Sequence, residues 1–81
     1  MACAHSNPPD IMARAEAWLR ERGISADRWN GMKFRHAENT PGNPWSSVVI
    51  DIERRETEWI VTRIDRRPEP VPPGDVGLRV V

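Results

Sequence analysis

Two histidines (His5 and His36), one cysteine (Cys3) and the pair Ser46-Ser47 are the side chains of this 81-residue chain that could supply a nucleophile or its base. Nucleophilic catalysis needs a nucleophile, a base and an orienting group that converge. Ser46 and Ser47 follow Trp45 with no strand–turn–helix elbow around them, so a Ser-His-acid arrangement has no framework. His36 alternates with Met32 and Phe34 and reads as a histidine at the edge of a core. A small hydrolase built on His36 is therefore the third of three functional readings. Cys3 and His5 form a Cys-x-His pair, but two ligands do not make a closed four-ligand zinc site. The chain has no glycine-rich phosphate loop, no His-Glu-x-x-His and no Cys-x-x-Cys. No catalytic residue, metal ligand or cofactor is assigned, and the chain is read as a non-enzyme. Asp51 and Glu53 stand two apart on one strand face, where Arg35 and Arg63 across the strands account for them as ion pairs. Pro70-Val-Pro-Pro73 fits a P-x-x-P pattern that can occupy an aromatic groove. The same run serves as a stiff connection between strands, and that reading is preferred.

Twelve basic residues balance twelve acidic ones, for a formal charge of zero. A dedicated nucleic-acid binder or a protein held on an anionic membrane would carry a basic surplus. Of the basic residues only Lys33 is lysine. Arginine suits planar and stacked recognition, although a GC-rich genome's codon choice produces the same bias. A single cysteine excludes an internal disulfide framework. The longest strictly aliphatic run is Val48-Val49-Ile50, too short to span a bilayer. Met1 to Pro9 has neither the basic nor the apolar segment of a signal peptide. The expectation is a cytoplasmic single domain over residues 1–81, with a flexible tail at 1–7 and a Pro-rich loop at 67–75. Four tryptophans are more than so small a core can hide, so part of the indole surface is expected outside.

Residues 8–22 are predicted as a helix. Asn7 is its N-cap, Pro8 takes the first position and Asp10 meets the positive end of the dipole. Ile11, Ala15, Trp18 and Leu19 form one apolar stripe. Gly23 ends the helix, with Ile24 folding back on Leu19 in a Schellman motif. Ser25 to Trp29 is a helical turn, and Asn30-Gly31 a sharp one. From Met32 the period becomes two, and the strand that starts there stops at the turn-rich Asn39 to Pro44. A second strand covers 45–54 and a third 58–66. Val76 to Val81 alternates as a terminal strand. The predicted fold is α+β, one N-terminal helix packed on a three- to four-stranded antiparallel sheet (αββββ). Its core is Ile11, Ala15, Trp18, Leu19, Ile24, Phe34, Val48, Ile50, Ile52, Ile60, Ile64, Leu78 and Val80.

The register of the second and third strands decides which side chains are left outside. A two-residue turn at Arg55-Glu56 sets Val48 against Arg63 and buries an arginine. A three-residue turn sets Ile52 against Ile60 and Val48 against Ile64, leaving Arg63 in water, and is preferred for that reason. The sheet face away from the helix then carries Trp45, Val49, Trp59 and Val61 among Arg35, Arg63 and other charges. An apolar centre with an arginine-rich rim is the anatomy of a protein interface. The expected site is therefore a partner-binding face of Trp45, Trp59, Val49, Val61, Arg35 and Arg63. The same face could instead form a homodimer.

Residues 29–65 carry Trp29-Asn-Gly-Met-Lys-Phe, Asn43-Pro-Trp-Ser-Ser-Val-Val-Ile-Asp-Ile and Glu58-Trp-Ile-Val-Thr-Arg-Ile-Asp. These segments resemble small bacterial immunity proteins of polymorphic toxin systems. Here the glycine precedes Asn-Pro instead of following it, and the family's insert and acidic C-terminal helix are absent. The resemblance implies a non-catalytic, stoichiometric inhibitor of an effector or toxin protein, and assigns no individual residue. A small chain without catalytic groups also fits phage-type inhibitors such as anti-CRISPR proteins, by analogy of class alone. The runner-up from another class is an RNA- or DNA-binding protein in which Trp59 stacks on bases while Lys33, Arg35, Arg63 and Arg79 contact phosphate.

Overall fold

The computed structural model describes residues 7–81. The expected tail at 1–7, apart from Asn7, and the Cys3–His5 pair lie outside the described residues. Helix α1 spans Pro8–Glu21 and is capped as its sequence requires, with Asn7 Oδ1 accepting from the Asp10 amide at 3.2 Å. At the other end Gly23 takes a φ of 72°. Its N–H reaches the carbonyl of Arg20 at 3.0 Å and that of Ile24 reaches Leu19 at 3.1 Å, the paired bonds of a Schellman motif. No helix is long and apolar enough to cross a membrane, among the described residues.

A 3-10 turn at Ala26–Arg28 leads into four antiparallel strands: β1 Lys33–Thr40, β2 Asn43–Arg55, β3 Glu58–Arg67 and β4 Gly77–Val80. Their order is β3-β2-β1-β4. The predicted α+β fold is thus present with all four strands, and the fourth returns beside the first in a Greek-key arrangement. The chain crosses from one sheet edge to the other through residues 68–76, which include a 3-10 turn at Pro73–Asp75. The β1–β2 turn is tighter than the run Asn39 to Pro44 suggests. Asn39 and Thr40 stay in β1, Asn43 and Pro44 start β2, and Pro41 and Gly42 alone make the turn, with Gly42 at φ 76°.

Neither register weighed for the β2–β3 hairpin is the one adopted. Glu56 and Thr57 form the turn, so Arg55 faces Glu58, Arg54 faces Trp59 and Ile52 faces Val61. Beyond Val61 the pairing shifts, with Asp51 opposite Arg63 and Ile50 opposite Ile64. Thr62 is thereby left as an extra residue, a β-bulge. The bulge reconciles two demands that a uniform register cannot meet together. The far half of β3 keeps Arg63 outside, as the burial argument requires. The near half turns Trp59 inward and Ile60 outward, the reverse of expectation. The arginine that does go inside is Arg54, and Glu16 compensates it from the helix with a 3.3 Å ion pair.

The core is Ile11, Ala15 and Leu19 from the helix, Trp29, Phe34 from β1, and Val48, Ile50 and Ile52 from β2. Trp18, Ile24, Leu78 and Trp59 pack against it partly buried. Trp29 is the unforeseen member: it is 2% exposed, and its indole N–H donates to the Ile24 carbonyl at 2.9 Å. Three expected core residues are corrected. Ile60 lies on the outer face, while Ile64 is 52% and Val80 41% exposed. The helix meets β3 in its near half, where Glu16 accepts from the Trp59 indole, while Ile64 in the far half of that edge strand is left exposed.

Candidate functional site

Side chains of the face opposite the helix fall into rows that run across the strands. One row is Arg63, Asp51, Arg35 and Arg79, each the register partner of the next. The adjacent row is Asp65, Val49, Ala37 and Gly77, and it contributes small apolar groups at its centre. Beyond it stand Arg67, Ser47 and Asn39. The 68–76 connection passes over this side and is fastened to it. The Ser47 hydroxyl donates to the Glu69 carbonyl at 2.7 Å, and the Val71 amide donates to Asn39 Oδ1 at 2.7 Å. Val71 then packs on Ala37 and Val49 as a second, smaller apolar cluster. Between strap and arginine row lies an open cleft of about 320 Å³. Arg35, Arg67 and Arg79 line it over a floor of Ala37 and Val49, and Pro70, Val71 and Pro72 form the opposite wall.

Each guanidinium at the cleft is held by a carboxylate. Arg35 forks onto Asp51, Nε to Oδ1 at 2.8 Å and Nη2 to Oδ2 at 3.2 Å. Those bonds hold the Arg35 charge above the ordinary arginine range. Arg67 Nε donates to Asp65 at 2.7 Å and Arg79 Nη2 to Asp75 at 2.7 Å. The hydrogen bond from Arg67 keeps the Asp65 carboxyl below the usual carboxylate range, and the nearby charge of Arg63 adds to that. Pairs this exposed contribute little to stability, yet they fix where the remaining N–H donors point.

The structure divides the six residues expected to form one partner-binding patch. Arg35, Arg63 and Val49 share the outer face, where Val49 lies buried beneath Val71. Trp45, at 74% exposure, stands near the start of β2, two residues before Ser47 and of the same strand parity. Trp59 and Val61 face the other way. The Trp59 ring meets Phe34 edge-on at 5.8 Å and Trp29 at 6.3 Å. Arg54 lies 5.4 Å from it, and its indole N–H donates to Glu16 at 2.8 Å. With Phe34, Trp29 and Arg54 around the Trp59 ring, the base-stacking role expected of it in the nucleic-acid reading has little open surface. Arg67 and Val71 were not singled out by the sequence. Val71 is a branched aliphatic residue set between Pro70 and Pro72, and that was the available signal.

His36 is 3% exposed on the helix side, and neither ring nitrogen has a hydrogen-bond partner among the described residues. Burial pushes its imidazole below the ordinary histidine value, opposed by the Glu38 carboxylate at 3.7 Å and reinforced by the charge of Arg14. No serine or cysteine is bonded to it among the described residues. Nor do three or more His, Cys, Asp or Glu side chains gather there as a metal-binding group, among the same residues. Comparison with protein-family models, curated proteins and solved structures finds no match. The outer-face cleft with its arginines is accordingly the candidate site, on geometry alone.

Proposed function

We propose that this protein acts by docking stoichiometrically onto another protein through its outer sheet face, and that it inhibits the effector it binds. The observation that carries this reading is Trp45, 74% exposed near the start of the strand whose later part bears Val49 of the cleft floor and Asp51. Tryptophan and arginine dominate the energetics of protein interfaces, and the same sheet carries an exposed indole and an arginine-lined cleft. The inhibitory role rests on the resemblance of residues 29–65 to immunity proteins, and no catalytic group is assembled among the described residues. A partner-binding function needs no cofactor. Homodimerisation through the same face is the competing outcome.

The test is affinity capture from the native host with the wild-type chain, Trp45→Ala, Arg63→Ala and, on the helix surface, Arg14→Ala. The captured protein is then purified and titrated calorimetrically. Trp45→Ala is expected to cost about 2–4 kcal/mol of binding at a stoichiometry of one to one, with Arg14→Ala neutral. Equal capture by all four chains refutes the docking face. A self-associating chain in sedimentation, with no other protein captured, replaces it by the homodimer. Salt-sensitive micromolar binding to generic RNA or DNA would favour the nucleic-acid reading instead.

A further inference from the structure

His36 is a buried titratable group on the inner face of the sheet, on the opposite side from the cleft. It is 3% exposed, and neither ring nitrogen has a hydrogen-bond partner among the described residues. Its row across the strands is Ile64, Ile50, His36 and Leu78. Two charged groups face the ring: the Glu38 carboxylate on β1, 3.7 Å from Nε2, and Arg14 on the helix. On this side β2 offers Val48, Ile50 and Ile52, and β4 offers Leu78 and Val80, all uncharged. β3 adds Ile64 and, beyond Val48, Arg66. A protonated ring donates at both nitrogens, and Glu38 at 3.7 Å is beyond hydrogen-bond reach. A buried charge with its donors unmet is far costlier than a buried neutral ring. Protonation of His36 thus requires that water reach it.

The way in lies at β4. Phe34, Ile50 and the helix residues Ile11 and Ala15 are buried, and β2 is held between β1 and β3. β4 is an edge strand of four residues, in which Leu78 is only partly buried and Val80 is 41% exposed. The Val81 N–H donates to the Lys33 carbonyl at 3.0 Å. By the alternation of an antiparallel ladder, Arg79 and Arg35 are the next bonded pair, and His36 and Leu78 form the close pair that follows it. Lifting four residues uncovers the ring; every other route opens the main core. We infer that His36 is a proton-operated latch on β4: in mild acid the ring takes a proton from solvent by releasing the edge strand, while the helix and the β1–β2–β3 sheet stay folded. Once released, the ring titrates at the ordinary histidine value of about 6.5. Burial keeps the closed ring below that value, against the pull of Glu38. When the closed form takes no proton, the equilibrium constant for opening rises about thirtyfold between pH 7.5 and pH 5. β4 also carries Gly77 and Arg79 of the outer-face cleft, so its release removes that wall. The latch itself does not depend on the docking reading.

The test is amide hydrogen exchange on the full chain, labelled with nitrogen-15, at pH 7.5 and pH 5. Each rate is divided into the intrinsic rate for its pH, so that protection reports opening alone. The Arg79 and Val81 amides are expected to be less protected than those of the inner strand β2 at both pH values. Their protection should fall about thirtyfold from the higher pH to the lower. His36→Leu should abolish that fall, and its spectrum at pH 7.5 shows whether it is folded. Equal protection of β4 and β2 would mean that the strand leaves only with the whole domain, which overturns the latch. So would β4 protection that does not change with pH, because the ring then either stays covered or takes its proton in place beside Glu38. Both of these are read on the wild-type chain and need no variant. The same fall in a folded His36→Leu chain would assign the effect to another group and overturn the inference as well.

Discussion

Truncating Trp59 to alanine should unfold this domain far more readily than truncating its neighbour Ile60. The indole of Trp59 meets Phe34 and Trp29, and each aromatic contact of this kind is worth about 0.5–1.5 kcal/mol beyond area burial. Its N–H donates to the Glu16 carboxylate, a bond to a charged group worth about 1.5–3 kcal/mol. The ring is only half-buried, so the total falls below the sum, and about 3 kcal/mol is the expected loss, at the low end for a core Trp→Ala change. Glu16 also holds Arg54 and Arg20, and it would lose its neutral donor while keeping both cations. Trp59→Phe keeps an aromatic ring in the stack and gives up the hydrogen bond, so it should cost about 1.5 kcal/mol, the low end for a bond to a charged group. Ile60 faces outward and half-exposed, and Ile60→Ala should cost under about 1 kcal/mol. Urea unfolding followed by far-ultraviolet circular dichroism avoids reading the signal from the indole being removed. A chain of this size shifts its melting temperature by roughly 4–8 °C per kcal/mol, so the two alanine variants separate clearly. If Ile60→Ala proves the more damaging change, the bulge at Thr62 is misplaced and the arrangement of the two sheet faces argued above fails with it.

Acidification should weaken the fold through His36. Burial keeps its imidazole neutral in the folded chain, whereas the unfolded chain takes up a proton at the ordinary histidine pH. The unfolded state therefore binds more protons once the pH falls to the ordinary histidine value, so stability is full above about pH 7 and declines as the pH drops below that. Urea midpoints should fall over that range in the wild type and stay level in His36→Leu; a wild-type midpoint that rises on acidification contradicts the burial argument. Glu56 is the second case. It sits at a φ of 57° in the β2–β3 turn, with its N–H bonded to Asn30 Oδ1 at 2.9 Å. Glycine relieves the left-handed strain and keeps that N–H, so Glu56→Gly should raise the melting free energy by about 0.5–1 kcal/mol, and a loss of that size would refute the strain reading.

The helix was legible to its last cap because its signals are local: Asn7, Pro8, Asp10 and Gly23 each act on the backbone within one turn. The alternation of Phe34, Val48, Ile50 and Ile52 placed the sheet's inner face for the same reason, since a period of two needs no partner to be read. What the sequence did not reveal was the bulge. Thr62 carries no mark that distinguishes it from any other strand residue, and the shift it introduces is settled by distant groups. Glu16, 43 positions before Trp59, accepts its indole N–H and lets Arg54 come inside. A register argument that treats every buried arginine as uncompensated cannot anticipate this. The candidate site was half visible: Arg35, Arg63 and Val49 were placed on the correct face by alternation. Arg67 and Val71 join them only through a loop that folds back over the sheet.

That loop ties the two margins of the sheet together. Strands β1 to β3 join through short turns and can zip up in sequence, but β4 must find β1 across more than thirty intervening residues. The polyproline-biased stretch shortens the search, because it loses little entropy on becoming straight. Its anchor points, Ser47 and Asn39, exist as a pair only after β1 and β2 have joined, so the strap settles late in folding and is among the first parts to lift. The cleft floor at Ala37 and Val49 would then exchange its amide protons in step with those of β4 and ahead of those of the helix-side core. A binding partner that grips the strap would slow this opening at both margins of the sheet at once, at β4 through its pairing with β1 and at β3 through Arg67, which lines the cleft.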